Sequence, residues 1–336
     1  MDCAELTLFQ EHAKQSDALE NVIMNKVKYI CPVCKGALTT SPRGYICSQC
    51  SWTYEVVERV TLFTQEDVPY KDEFTKPNLR VSLPLELLYR HLHFYHWNEK
   101  CFFEDNVRNG DILLDLGCGG GKELFRRRGA YCIGVDLSLK ALVNAATVYH
   151  QVARCDMLSL PFEDNTFDCV ISSHVLGHIA REKKDTLLKE IFRILKKGGR
   201  AINVIETDSL NPFIKEAKRY PTCYQKYFIE REGHYGLELP SDIIKHFERN
   251  GFTLISCKKG NAGRVPLWFF VLYFDNEFLE DFPVPVQKKV CFAKQLWMNR
   301  YFRVLMGFFQ GIYQDTWGQW RTELDYSIGI STVHYK

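Results

Sequence analysis

The chain has 336 residues, 46% hydrophobic and 25% charged, with a formal net charge of +2. That balance belongs to a folded protein with a sizeable core; it excludes disordered and fibrous classes and supplies no global field that would draw the chain onto a polyanion. Met1 to Gln15 carry acids and no apolar signal-peptide stretch, and the longest uncharged apolar runs, Val265 to Phe274 and Val304 to Tyr313, fall short of the ~20 residues of a membrane span, so a cytoplasmic protein is expected.

After an N-terminal segment, 1–26, four of the 13 cysteines stand in a tight array, Cys31-x2-Cys34 and Cys47-x2-Cys50. Each pair sits on a tight turn that aims two thiolates at one point, and the hairpin between them brings the pairs together. A structural zinc ion is the expected occupant; a disulfide pair and an iron–sulfur site are the alternatives. Four cysteine ligands leave no open position, which argues against a catalytic ion. Trp52 to Phe63 alternates as strands that close a ribbon over residues 27–66. Such a ribbon docks substrate or is scaffold, two readings of equal weight. Leu85 to Phe103 reads as a helical stripe over a cleft, and His91, His93 and His96 within it point apart on a helix, as core or surface histidines would.

From Asp111 short apolar strands alternate with amphipathic segments, the pattern of a parallel sheet flanked by helices. Ile112 to Leu116 reads as a buried strand that leads into Gly117-Cys118-Gly119-Gly120-Gly121, a turn where glycine lets backbone approach a ligand. A dinucleotide fingerprint fails, because its third glycine position holds Lys122. A second strand ends in Asp136, beside Leu137, placed to accept from both hydroxyls of a ribose. A third closes on Asp156 and Met157, and a fourth on Ser173. An amphipathic helix with Leu187, Ile191 and Ile194 on one face is expected to stop at Lys196 to Gly199, before a fifth strand, Arg200 to Ile205.

The order Asp115-x-Gly117-x-Gly119-x-Gly121, then Asp136, then Leu160-Pro161-Phe162 to Asp168, resembles the class I S-adenosylmethionine-dependent methyltransferases, in their type 11 branch. The resemblance runs from about Asp111 to Ile205 and more loosely to Phe274. It implies an α/β fold with a seven-stranded, mostly parallel Rossmann-like sheet over residues 80–275, behind the small zinc ribbon. Ser241 would cap a helix, Asp242 to Asn250, and strands Phe252 to Cys257 and Leu267 to Phe274 after it would complete the sheet. It also implies S-adenosylmethionine as cofactor, held by Asp115, Gly117, Gly119, Asp136, Leu137, Asp156, Met157 and Ser173.

Methyl transfer from a sulfonium needs positioning first and a base only for some acceptors. His174, His178 and Glu206 follow the fourth and fifth strands and are the candidates for catalytic work, with His234 and Tyr235 as further acceptor contacts. In the tail, 276–336, Val286, Val290, Ala293, Trp297 and Tyr301 recur as one helical face. That helical extension packs on the domain or on a second copy in a homo-oligomer, or lies on a membrane surface.

The expected function is methyl transfer to a small-molecule acceptor: a sugar, a natural-product intermediate or a lipid-linked glycan. Two other readings stand beside it. One is an RNA methyltransferase, since a family of ribosomal guanine methyltransferases joins a four-cysteine ribbon to this fold; the other is a non-catalytic binding scaffold.

Overall fold

A computed structural model describes residues 26–68, 75–78, 99–260, 276–302, 305, 306, 309, 318, 320 and 323–336. The expected strand Leu267 to Phe274 and His91, His93 and His96 lie outside the described residues.

The N-terminal module is an antiparallel meander of β1 (Leu38–Ser41), β2 (Gly44–Cys47), β3 (Thr53–Val57) and β4 (Val60–Leu62). Gly44 is required at its first turn: its φ is 148°, and a Cβ there would lie 2.2 Å from the Tyr54 carbonyl oxygen of β3. Seven strands follow in chain order: β5 (Ile112–Leu116), β6 (Tyr131–Asp136), β7 (Gln151–Arg154), β8 (Phe167–Ser173), β9 (Leu195–Glu206), β10 (Thr253–Gly260) and β11 (Gly329–Tyr335). β5 is apolar without alternation, and Leu113, Leu114 and Leu116 are fully buried, as a strand covered on both faces demands.

One sheet contains all eleven, in the order β1-β2-β3-β4-β7-β6-β5-β8-β9-β11-β10. This corrects the expected seven. β7 would have been a free edge with unpaired N–H and C=O groups. Instead β4 pairs with it in parallel, Val60 opposite Val152 and Leu62 opposite Arg154. Arg59 Nη1 donates to the Ala146 carbonyl at 2.9 Å, and Gln151 exchanges hydrogen bonds with the backbone of Val27. Tyr29, Tyr45 and Tyr54 of the module share one buried cluster with Leu114, Ile133 and Val135 of the central strands. The ribbon is thus packed into the same core rather than tethered beside it.

Three further expectations are corrected. The strand between β9 and β10 comes from the chain's end, Gly329–Tyr335, antiparallel to both neighbours, so the segment expected to be helical closes the sheet. Within that segment the helix Val284–Met298 does bury Val286, Val290 and Ala293. Second, the helix Lys184–Ile194 stops at Ile194, and Lys196 to Gly199 belong to β9, because the chain turns directly into the strand at Leu195. Third, Ser241 lies inside the helix Pro240–Arg249 and donates to Asp325 at 2.8 Å instead of capping it.

β11 carries a buried histidine. His334 is fully buried, stacks on Phe247 with centroids 3.9 Å apart at 6°, and neither ring nitrogen has a hydrogen-bond partner among the described residues. Burial alone holds its imidazole down to about 4. Unfolded, the ring titrates near ~6.5. Below that value the unfolded chain binds a proton that the folded chain refuses, so this group's contribution is present at neutral pH and is lost as pH falls toward the folded value. The loss amounts to about 3 kcal/mol over the window. His334→Phe, which keeps the stack, should flatten this part of the pH dependence. Urea unfolding of both proteins between about pH 7 and about pH 4.5 checks it; equal slopes would remove the assignment.

Candidate active site

The carboxyl ends of β7, β6, β5, β8 and β9 share one edge, because these strands run parallel. Beyond β5 the chain turns through Gly117 to Gly121. Gly117 has φ 68°, and a Cβ on it would sit 2.6 Å from Val175 Cγ2. Only glycine fits this turn. Gly119 N–H donates to Asp136 Oδ2 at 2.8 Å, while Asp136 Oδ1 accepts from Ser138 N–H at 3.0 Å. Asp136, buried at the end of β6, therefore holds the glycine turn of β5. Residues 75–78 cover the outer side of that turn: Asn78 N–H donates to the Gly121 carbonyl at 2.8 Å.

Asp115 is fully buried at the end of β5. Its Oδ2 accepts from Tyr149 OH at 2.6 Å and lies 3.8 Å from Lys122 Nζ, while Oδ1 has no hydrogen-bond partner among the described residues. Burial pushes the carboxyl up, against the pull of Lys122 and the Tyr149 hydroxyl. A glycine cradle beside an orphaned carboxylate oxygen suits a ligand that brings a donor to that oxygen. Leu137 is half-buried after β6; Asp156 is exposed after β7, and its Oδ1 accepts from Leu158 N–H at 2.9 Å; Met157 packs half-buried against the core.

Beyond β8 and β9 lies a cluster of acids and imidazoles. Ser173 Oγ donates to Glu99 Oε1, and His174 bridges two acids, with Nε2 3.5 Å from Glu99 and Nδ1 3.2 Å from Glu206. His174 has φ 58°, a left-handed conformation uncommon for a side-chain-bearing residue. Burial disfavours its charge, yet Glu206 and Glu99 raise it to about 9; burial would raise Glu99, but His174, Lys122 and Ser173 hold it down to about 2. His174 is an imidazolium at neutral pH and accepts no proton there. Glu206 is likewise held below its usual range, against burial, by His174 and His234.

Glu206 Oε2 also lies 2.8 Å from His234 Nε2, and the rings of His178 and His234 stand 5.0 Å apart. Burial and the neighbouring His234 hold His178 below its ordinary value. His174, His178, Glu206 and His234, named from sequence, thus meet in space, while Tyr235 is 62% exposed and turns away. Glu99, Lys122 and Tyr149 were missed. They reach the site from a helix, a helix start and a loop, and no local motif marks them.

In the ribbon one sulfur from each of Cys31, Cys34, Cys47 and Cys50 lies within 4.8 Å of the others. Two matching knuckles present them: Lys35 N–H donates to the Cys31 carbonyl at 2.9 Å and Ser51 N–H to the Cys47 carbonyl at 3.1 Å, with Lys35 and Ser51 both at φ 59°. Four convergent thiols are the donor set that tetrahedral zinc takes.

The family model described as a methyltransferase domain matches residues 114–203, from within β5 through most of β9. Among curated relatives, the tRNA (carboxymethyluridine(34)-5-O)-methyltransferase alkbh8 of Xenopus tropicalis is 34% identical over 107 residues, 32% of this chain and 17% of that protein. The Mus musculus protein of the same description is 29% identical over 186 residues, 50% of this chain and 28% of the relative. The chain thus spans less than a third of either. A phosphoethanolamine N-methyltransferase 2 of Haemonchus contortus superposes with a TM-score of 0.44 at 18% identity, covering 75% of this chain and 57% of that one, a likeness that carries no functional argument.

Tyr149→Phe should remove one of Asp115's two close partners and leave a buried carboxylate short of a donor. The expected cost is about 1–3 kcal/mol in urea unfolding with an unchanged m-value; a cost near zero would show that Lys122 alone satisfies Asp115.

Proposed function

We propose that the chain is an S-adenosylmethionine-dependent methyltransferase that acts on an RNA nucleoside. One observation carries the first half: the glycine turn of β5, held by the Asp136 carboxylate, opens onto the same sheet edge as the Glu99, His174 and Glu206 cluster. The cofactor, when bound, supplies a methyl group already activated on sulfur. Asp136 would hold the ribose hydroxyls, Gly117 and Gly119 would admit the backbone close to the ligand, and the orphaned Asp115 Oδ1 fits the ammonium of its amino acid end. Ser173, Leu137, Asp156 and Met157 would frame the remainder. Glu99 and Glu206 each take one N–H of His174, so the ring ties the two acids together at this edge of the sheet.

The RNA acceptor rests on the names of the relatives, several of which are called transfer RNA methyltransferases. The matched family segment ends at residue 203, before Glu206 and His234. A small-molecule acceptor is the second reading, favoured by the net charge of +2, which lacks the basic excess of most RNA binders. We also read the four thiols as a structural zinc site that holds the ribbon against β7. Among the described residues no helix is long and apolar enough to cross a membrane.

Calorimetry with S-adenosylmethionine should show binding that Asp136→Asn weakens by about 10–100-fold, the worth of a charge-assisted hydrogen bond. A folded wild type that binds no cofactor would remove the assignment. Incubation with methyl-labelled cofactor and total transfer RNA should place label in RNA, with RNA affinity falling steeply as salt is raised. Label only in a small-molecule extract would favour the second reading.

Chelation, or Cys34→Ser, should release the zinc and lower the melting temperature of the whole catalytic domain, because β4 is a strand of its sheet. An unchanged melting transition would show that the metal does not support the fold.

A further inference from the structure

We propose that His178, Glu206 and His234 form a second metal site, for a divalent transition-metal ion with imidazole and carboxylate preference, that presents an acceptor oxygen to the methyl donor. One ligand atom from each of the three lies within 4.8 Å of the others. The two imidazoles are arranged as ligands usually are. His178 Nδ1 sits 3.1 Å from the Gly233 carbonyl oxygen and His234 Nδ1 3.1 Å from the Phe228 carbonyl oxygen. A carbonyl only accepts, so each Nδ1 carries the hydrogen, and in the neutral ring each Nε2 keeps its lone pair free for a ligand.

The carboxylate points the same way. Glu206 Oε2 is buried and approaches His234 Nε2 to 2.8 Å, yet it has no hydrogen-bond partner among the described residues. The contact lacks the alignment of an N–H donor, and a cation beside both atoms would satisfy the carboxylate oxygen and the ring nitrogen together. The other oxygen, Oε1, is taken by His174 at 3.2 Å, which fixes the carboxylate's orientation. The three ligands come from the loop after β8, the end of β9 and the loop 233–239, so the backbone of three packed segments sets their spacing rather than one flexible stretch.

Two imidazoles and one carboxylate leave coordination positions open, unlike the four thiolates of the ribbon. The open positions would take an oxygen of the acceptor, a hydroxyl or carboxylate. A hydroxyl bound there gives up its proton to solvent; its oxygen then forms the bond to the methyl carbon as the carbon–sulfur bond breaks, with the electron pair left on sulfur. This second part rests on the methyltransferase reading, whereas the metal site itself does not.

The test loads the full-length chain with zinc or cobalt, removes free metal by desalting and measures metal per chain. Wild type should retain about two equivalents, one on the thiols, and His178→Gln or His234→Gln about one. Titration of cobalt into chain whose thiols already hold zinc should give a single binding event, weakened at least about 10-fold in Glu206→Gln. Wild type that holds metal only at the thiols, or variants that hold as much as wild type, would overturn the site, and the wild-type stoichiometry decides even where a variant fails to fold. Cofactor calorimetry on the same samples separates the two readings. Second-site metal without cofactor binding supports the site and overturns its methyl-transfer role; cofactor binding without second-site metal overturns the site and leaves the methyltransferase reading standing.

Discussion

The Asp136 carboxylate, with one oxygen on Gly119 N–H and the other on Ser138 N–H, joins the ends of β5 and β6 at the point where the parallel strands open. A short turn of glycines has little conformational preference of its own, so its shape must be imposed from outside. Here the acid imposes it from the neighbouring strand, and Val175 packs on the other side, 2.6 Å from where a Gly117 Cβ would be. The register of β5 with β6, Asp115 opposite Gly134 and Leu116 opposite Val135, in turn decides where that acid stands. Strand pairing, turn geometry and ligand site are therefore one constraint.

The same sheet is closed at its far edge by the cysteine module. A parallel edge strand in water is a site for unwanted pairing, and β4 covers it with a segment whose own shape depends on four converging thiols. Tyr29 meets Phe63 edge-on and Tyr54 meets it at a tilt next to that seam, with ring centroids 5.2 Å and 4.9 Å apart, so the contact is aromatic as well as hydrogen-bonded. The cysteine knuckles, the edge pairing and the core are thus contiguous.

The acceptor side is built differently. Its charged groups come from a helix start, two strand ends and a loop, and each is held by the others: Glu99 by Ser173 and His174, His174 by Glu206, Glu206 by His234. Such a network is half-open to solvent.

Much of this was legible along the chain. Mostly apolar runs mark β5 and β8 as buried strands, glycines after β5 mark a close approach, and two C-x2-C pairs mark a thiol knuckle, because each signal lies within a few residues and reflects local sterics or ligand spacing. The closing strand was not legible. Gly329 to Tyr335 is short, and only its pairing with β9 and β10 decides that it completes the sheet. Nor could spacing show that β4 pairs with β7, or that Glu99, Lys122 and Tyr149 reach the site from distant segments. By itself the sequence determined the parallel core, the glycine turn with its acids and the thiol set. Only the tertiary structure decided the eleven-stranded order, the buried partners of Asp115 and the meeting of His178, Glu206 and His234, because edge pairing and long-range side-chain contact depend on how distant segments pack and leave no periodic trace in the chain.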